Sequence, residues 1–572
     1  MGYFSIRIFR NFELHFFEFS PMNITLNIVN KGIKKAYPAG ITLAEVLKDQ
    51  YPNEEKHFLT ALVNNRHRAL SYPLYFPRRV EFMSLSTATG HRAYHHSLAF
   101  LLYKAVKELY PKASLRIEHA ISGGYYCFVN HIDIDNTKIA APLKKRMQEL
   151  VEQDLPFVYH TEETNEVIEK FKAANLYDKV KLIEEKGDIY TSYYSLGDTI
   201  DSFYSPLVPS TAYLQLFDLQ AYHQGLLLSA PLRSKPDTIA PKIDQPKLLE
   251  VFTEYAGWNR TLDISNVADI NAKAGNKNVY DLIMLAEALQ EKKVVKISEM
   301  IKERESVRMI LISGPSSSGK TTFSKRLALQ LQLSGLQPLN ISLDDYYIDR
   351  VKTPLDEQGE YDYEHIEALD LKLLNEQLQA LLDGQEVVLP KYSFKEGKSL
   401  RDSKSTRLKA NEVLIVEGIH ALNPRLTSLI AEKVKFKIYV SALTTISLDN
   451  HNYIPTSDNR LIRRIIRDYN YRGTSTEDNI NRWESVRRGE DKWIYPFQEE
   501  ADVMFNSSLL FELPVLKPFV EPILKEVKHN NKAYIEARRL LKFLSYFRPI
   551  NSRKIPPTSL LREFLGGSSF KY

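Results

Sequence analysis

The residues Met309-Ile310-Leu311-Ile312, followed after one serine by Gly314-Pro315-Ser316-Ser317-Ser318-Gly319-Lys320-Thr321, decide how the C-terminal part of this chain folds. A four-residue apolar run suits a buried strand. The next stretch matches G-x-x-x-x-G-K-[ST] at every fixed position, and Phe323, Leu327 and Leu331 then recur at i, i+4 and i+8, the stripe of a helix. A strand, a glycine-bounded loop and a helix in this order form a cradle for phosphate, because the loop amides from Gly314 to Thr322 and the helix N-terminus turn toward anionic oxygens. Lys320 then reaches the β- and γ-phosphates of a nucleotide, and the Thr321 hydroxyl holds Mg²⁺. An ordinary Gly/Ser turn explains neither the Lys-Thr pair nor its place between strand and helix.

Such a loop does not by itself separate an ATPase, a GTPase and a kinase. The run Leu339-Asn340-Ile341-Ser342-Leu343 leads into Asp344-Asp345-Tyr346-Tyr347, which places carboxylates at the carboxyl end of a parallel strand, where such sheets build their sites. Asp344 is there the candidate base for an attacking hydroxyl; the pair, Asp345 above all, also suits capping of the next turn. Val413-Leu414-Ile415-Val416 ends in Glu417-Gly418, an acid placed to order Mg²⁺ or to cap a turn. Arg460, Arg463, Arg464 and Arg467 fall on one helical face, with Leu461, Ile462, Ile465 and Ile466 holding the other to the protein. Like charges at this spacing cost about a few tenths of a kcal/mol per pair, which anionic oxygens would relieve. A solvated basic surface paired with Asp458, Asp468 and Glu477 is the other reading. The expectation is a lid that lays Arg464 and Arg467 over transferring phosphate, with Arg472 at its hinge beside Gly473.

From Val307 onward strands and helices alternate, which predicts a parallel sheet with helices on both faces over residues 307–548. Upstream, Ile24, Leu26 and Ile28 alternate, Lys31-Gly32 turns the chain and Thr42 opens a helix, so residues 22–88 read as a small α+β module. An amphipathic helix near His91 opens a second α+β region that ends about residue 228. Pro231, Pro236, Pro241 and Pro246 mark a linker, and residues 248–304 read as mostly helical, so 229–306 is a linker with a helical connector. Pro556, Pro557, Gly566 and Gly567 suggest that residues 549–572 are loosely ordered. The first 21 residues read as a frayed tail or an upstream misread start.

The chain has 572 residues, room for roughly three to four domains. Lys plus Arg exceed Asp plus Glu by 76 − 71 = 5, too weak an excess to mark a nucleic-acid protein by itself. Cys127 is the sole cysteine, which excludes an internal disulfide and a thiolate cluster and favours a cytoplasmic setting. No apolar run reaches a membrane span.

Residues 307–516 resemble the uridine kinase-like branch of P-loop kinases. The phosphate loop, Ser342-Leu343-Asp344, Tyr363-Glu364-His365-Ile366-Glu367-Ala368-Leu369-Asp370, Pro390-Lys391-Tyr392-Ser393-Phe394, Glu417-Gly418-Ile419 and Arg463-Arg464 through Arg472-Gly473 occur in that family's order. The resemblance implies that Asp344 is the base, that Glu364 holds ribose hydroxyls, that Tyr392 lies against the nucleoside, and that Arg464, Arg467 and Arg472 form lid and sugar contacts. Two positions depart from it: Gly397 stands where uridine and cytidine kinases carry a base-reading histidine, and Thr474 replaces the second arginine of Arg-Gly-Arg.

Residues 22–228 resemble the N-terminal part of threonyl-tRNA synthetases: a TGS-like β-grasp module over 22–88 and an editing-type domain over 89–228, carried by His96-Ser97-Leu98-Ala99-Phe100, Gly123-Gly124-Tyr125-Tyr126 and Val208-Pro209-Ser210-Thr211. Of that domain's hydrolytic set only His96 remains; Phe100, Phe203 and Leu207 take the other places, so no editing chemistry is expected. The two resemblances together imply a multidomain α/β and α+β phosphotransferase that uses ATP and Mg²⁺ on a hydroxyl of a nucleoside. Catalysis falls to Asp344, Lys320 and Arg467; nucleotide binding to Gly314, Pro315, Ser316, Ser317, Ser318, Gly319, Lys320, Thr321 and Thr322; substrate binding to Asp344, Glu364, Tyr392, Arg464 and Arg472; metal binding to Thr321 and Glu417. Two alternatives stand beside it: a kinase of another sugar or sugar phosphate, and a nucleotide-switched protein whose synthetase-like half contacts RNA through Arg66, His67, Arg68, Arg78 and Arg79. The acceptor, the choice of ATP or GTP and the oligomeric state stay open.

Overall fold

The computed structural model describes residues 23–275, 279–393 and 396–571; the expectation for residues 1–21 lies outside them. The sheet of the C-terminal region has five parallel strands in the order Gln337–Ser342, Glu412–Glu417, Met309–Ser313, Lys435–Ser441, Val503–Asn506. The continuous apolar runs follow from burial on both faces. Met309, Leu311, Leu414 and Val416 enter one core with Leu374 and Leu378 of the helix Leu371–Leu382, whereas Ile310, Ile312, Val413 and Ile415 enter another with Phe323 and Leu327 of the helix Lys320–Leu333. The fold is thus multidomain α/β with a parallel sheet covered on both sides.

Toward the N-terminus, Asn23–Ile28 pairs antiparallel with Ile33–Pro38 and parallel with Arg78–Ser84, in a five-stranded mixed sheet. Strict alternation buries Ile24, Leu26 and Ile28 against the helix Leu43–Gln50, which a reciprocal cap between Thr42 and Glu45 starts. The helix Ala88–Leu109 follows, capped by Thr87, and packs beside a four-stranded antiparallel sheet that includes Ser114–Ile121 and Gly124–Asn130. On it His96 is buried, with Nδ1 2.6 Å from Ser205 Oγ and its ring stacked on Phe203; Phe100 and Leu207 are buried too. The helices Pro246–Thr261, Val267–Ala274 and Val279–Glu303 run between the two halves. Among the described residues no helix is long and apolar enough to cross a membrane.

Three expectations need correction. The proline-bearing segment after Ser229 is not irregular: Pro231–Leu232 and Lys235–Ile239 pair as a two-stranded ribbon, since prolines at strand starts and edges leave enough donors. The C-terminal segment is not loose either. Leu560, Leu561 and Phe564 are buried, and Arg562 donates to the carbonyls of Ser552, Ile555 and Pro556, which locks the glycine- and proline-rich chain into one shape. Finally, the helix Thr456–Tyr471 does not present all four of its aligned arginines to anionic oxygens or solvent. Arg460 and Arg463 are fully buried and ion-paired with Glu490 and Glu512, carboxylates that distant sequence supplies.

Candidate active site

The phosphate loop leaves the carboxyl end of the central strand Met309–Ser313, and its shape depends on a close backbone approach. A Cβ on Gly314 would lie 1.9 Å from the Val440 carbonyl oxygen. Ser317 and Gly319 adopt left-handed φ values of 59° and 83°, which turn the chain into the helix Lys320–Leu333. Ser317 Oγ and Ser318 Oγ are buried without a hydrogen-bond partner among the described residues. Lys320 Nζ folds back to the Pro315 carbonyl at 3.1 Å, and burial holds its pKa below the ordinary lysine value.

Two flanking strands complete the cleft. Glu417 ends the strand Glu412–Glu417, and its Oε1 accepts from Thr321 Oγ at 3.1 Å. Burial lifts the Glu417 carboxyl to about 7; Lys320 opposes that rise and Asp344 adds to it. A threonine hydroxyl beside one carboxylate fits Mg²⁺, which commonly takes one or two carboxylates plus substrate phosphates and keeps several waters. Asp344 lies in the short turn Leu343–Tyr346 after the strand Gln337–Ser342, with its amide on Ser342 Oγ at 3.3 Å. Its charge acts on Lys320, Glu417, Tyr347 and Arg472, which places it near these groups. Asp345 faces elsewhere: it pairs with Lys391 at 3.0 Å and accepts from the Tyr392 amide at 3.4 Å. The structure therefore divides the two acids, one near Lys320 and Glu417 and one toward the strand Glu386–Ser393.

Glu364 enters from a loop, its Cβ packed so closely on Gly489 that a Cβ there would stand 2.3 Å away. Burial raises its carboxyl to about 7, with Arg464 opposing and Glu490 and Asp362 reinforcing. Tyr347 and Tyr392 form an aromatic wall with ring centroids 5.7 Å apart. Arg464 reaches Ser316 Oγ at 3.0 Å, so it touches the phosphate loop. Arg464, Arg467 and Arg472 share one buried carboxylate, Asp468, at 3.5, 2.8 and 3.6 Å. Three guanidinium groups thus gather at one acid, a setting that suits a phosphoryl group.

Sequence reasoning missed the groups that pack against this site. Glu490 takes Arg460 through both oxygens and also accepts from the Ser316 amide at 3.2 Å, while Arg460 Nε donates to the Ser316 carbonyl at 2.9 Å. Arg463 binds Glu512 and reaches the carbonyls of Ser507 and Ser317. Thr322 is bound by Glu563 of the C-terminal segment, at 2.7 Å from Oγ and 3.3 Å from the amide. No local spacing signals these partners; only a buried arginine's need for a carboxylate does.

Residues 309–510 match the phosphoribulokinase / uridine kinase family. Over 205 residues the chain is 34% identical to uridine kinase of Ligilactobacillus salivarius, which covers 35% of this chain and 86% of that enzyme. Over 219 residues it is 31% identical to threonine–tRNA ligase of Desulforamulus reducens, covering 37% of this chain but spanning only about a third, 34%, of the ligase. Among solved structures, D-glycerate 3-kinase from Cryptococcus neoformans aligns over 49% of this chain and 90% of its own at 13% identity and a TM-score of 0.20. Through its C-terminal region this chain belongs to the phosphoribulokinase / uridine kinase family of P-loop kinases.

Proposed function

We propose that the protein transfers the γ-phosphoryl group of ATP to a hydroxyl of a nucleoside. The observation that carries this reading is the convergence of the phosphate loop, Glu417 and Asp344 at the carboxyl ends of three adjacent parallel strands, with Asp345 drawn aside. The loop amides and Lys320 bind the phosphate tail, Lys320 leaving the Pro315 carbonyl for the triphosphate. Thr321 and Glu417 would hold Mg²⁺, which when bound neutralises charge on the β- and γ-phosphates. Asp344 accepts the proton of the attacking hydroxyl, Glu364 orients neighbouring hydroxyls against the Tyr347–Tyr392 wall, and Arg464, Arg467 and Arg472 stabilise charge on the transferring group.

A second acceptor class, a sugar or sugar phosphate, is favoured by one feature. At Gly397, where related pyrimidine nucleoside kinases resemble one another in carrying a histidine, a Cβ would lie 2.8 Å from the Arg350 guanidinium carbon, so a cation sits at that edge of the site. The N-terminal half, 22–88 as a TGS-like module and 89–228 as an editing-like shell without editing chemistry, is assigned a binding role, and the setting is cytoplasmic. A screen of the purified protein for ATP consumption against nucleosides, pentoses and pentose phosphates separates the acceptors. Asp344→Asn should lower turnover by about 10²-fold with nucleotide binding retained; normal turnover in that variant would remove Asp344 from its role.

A further inference from the structure

The phosphate loop of this protein is not open to solvent on the side of Thr322. The segment from Ser559 to Gly566 wedges between the helix Lys320–Leu333 and the helix Thr456–Tyr471. Leu560 joins the core of Phe323, Leu327 and Phe505 and would touch a Cβ on Gly319 at 3.5 Å. Leu561 enters the core of Leu461, Ile462 and Ile465, and Phe564 lies under the Arg463 guanidinium at 5.0 Å. The residue between these anchors that faces the loop is an acid. Glu563 Oε2 accepts from Thr322 Oγ at 2.7 Å and from the Thr322 amide at 3.3 Å, and it stands close enough to Lys320 and Glu417 for its charge to act on both.

The donors Glu563 engages belong to the phosphate cradle. In a loop of this kind the amide of the residue after the metal-binding Thr or Ser points at the α/β-phosphates, and it is directed there by the helix N-terminus. A carboxylate on that amide satisfies it as a phosphate oxygen would, with the same sign of charge. Both cannot hold it together.

We propose that the C-terminal strap is a built-in autoinhibitor, in which the Glu563 carboxylate occupies the phosphate position at the Thr322 amide and hydroxyl and a nucleotide must displace it to bind. This rests on the kinase reading above. Displacement involves the side chain alone: with Leu560, Leu561 and Phe564 buried, undocking the strap would expose three apolar side chains, whereas Glu563 itself is only partly covered and turns out by rotation about its own bonds. The strap therefore stays docked in both states and lowers nucleotide affinity without closing the cleft.

Titration calorimetry of the full chain with Mg-ATP, Mg-ADP and adenosine tests this on wild type, Glu563→Gln and Glu563→Ala, with thermal melts confirming that each folds. Both variants should bind ATP and ADP about 10-fold more tightly than wild type, as removal of the competing negative charge implies, with adenosine unaffected. Equal or weaker ATP binding by the folded variants would overturn the autoinhibitor and leave the kinase reading standing. No nucleotide binding by any of the three proteins would overturn both.

Discussion

The pair Arg460–Glu490 offers a quantitative test of how the site is braced. Both side chains are fully buried, the guanidinium spans both carboxylate oxygens, and together they hold residue 316 of the phosphate loop by its carbonyl and its amide. Glu490→Leu leaves the Arg460 charge buried with the Tyr495 hydroxyl and the Ser316 carbonyl as hydrogen-bond partners, and should cost about 3–5 kcal/mol; Arg460→Met leaves Glu490 the Tyr495 hydroxyl, the Ser316 amide and the Arg487 guanidinium at 3.5 Å, and should cost less. The double variant removes both charges together. It forfeits the two bonds to Ser316 and the two to Tyr495, about 1 kcal/mol each, so it should cost about 4 kcal/mol, less than the sum of the single changes. Urea unfolding followed by tryptophan fluorescence reads this locally, because Trp483 lies against the Arg460 guanidinium at 5.3 Å. A cost below about 1 kcal/mol for Glu490→Leu, or a double variant that costs the sum of the singles, would refute the reasoning.

Two further outcomes follow from Glu364. Its folded carboxyl sits near 7 against an ordinary 4.5, so below pH 4.5 it is neutral in both states, the unfolded chain ionises first as pH rises, and stability is lost between about pH 4.5 and 7. Glu364→Gln should therefore be more stable than wild type by on the order of 1–3 kcal/mol at pH 8 and equal to it at pH 4.5; the same difference at both values in denaturant melts would contradict the assignment. Gly489→Ala drives a methyl group into the Glu364 Cβ position, and should raise the KM for the acceptor about 10-fold with little change in the KM for ATP, as steady-state kinetics would show.

The parts of this molecule legible in its sequence are those whose causes are local. The strand before the phosphate loop, the glycines at 314 and 319, and the acids closing two strands each answer to a requirement set within a few residues, so periodicity and spacing expose them. The arginine helix shows where that logic stops. Spacing puts Arg460, Arg463, Arg464 and Arg467 on one side, but whether each meets solvent, phosphate or a carboxylate depends on Glu490 and Glu512, 30 and 49 positions away. The C-terminal segment deceived for the related reason that glycine and proline content reports backbone freedom, whereas its order comes from Arg562 binding its own turn carbonyls and from three apolar anchors.

The same distinction bears on why the two halves share one chain. Lys179 is buried between Asp201 and Asp449, each 2.8 Å away, and His451 lies 2.7 Å from Asp201, which joins the synthetase-like half to the loop before the arginine helix. On the helix itself, Asp458 takes both Arg539 nitrogens, and Glu536 bridges Arg539 to Arg92 of the long N-terminal helix. Buried charges linked in this way resist separation, because parting them strands each one in a medium that cannot solvate it. Leu182 and Tyr204 from the N-terminal half also share a core with Leu461, Ile462 and Phe543. The helix that brings Arg464 to the phosphate loop is thus fixed on one flank by the kinase sheet and on the other by the synthetase-like half.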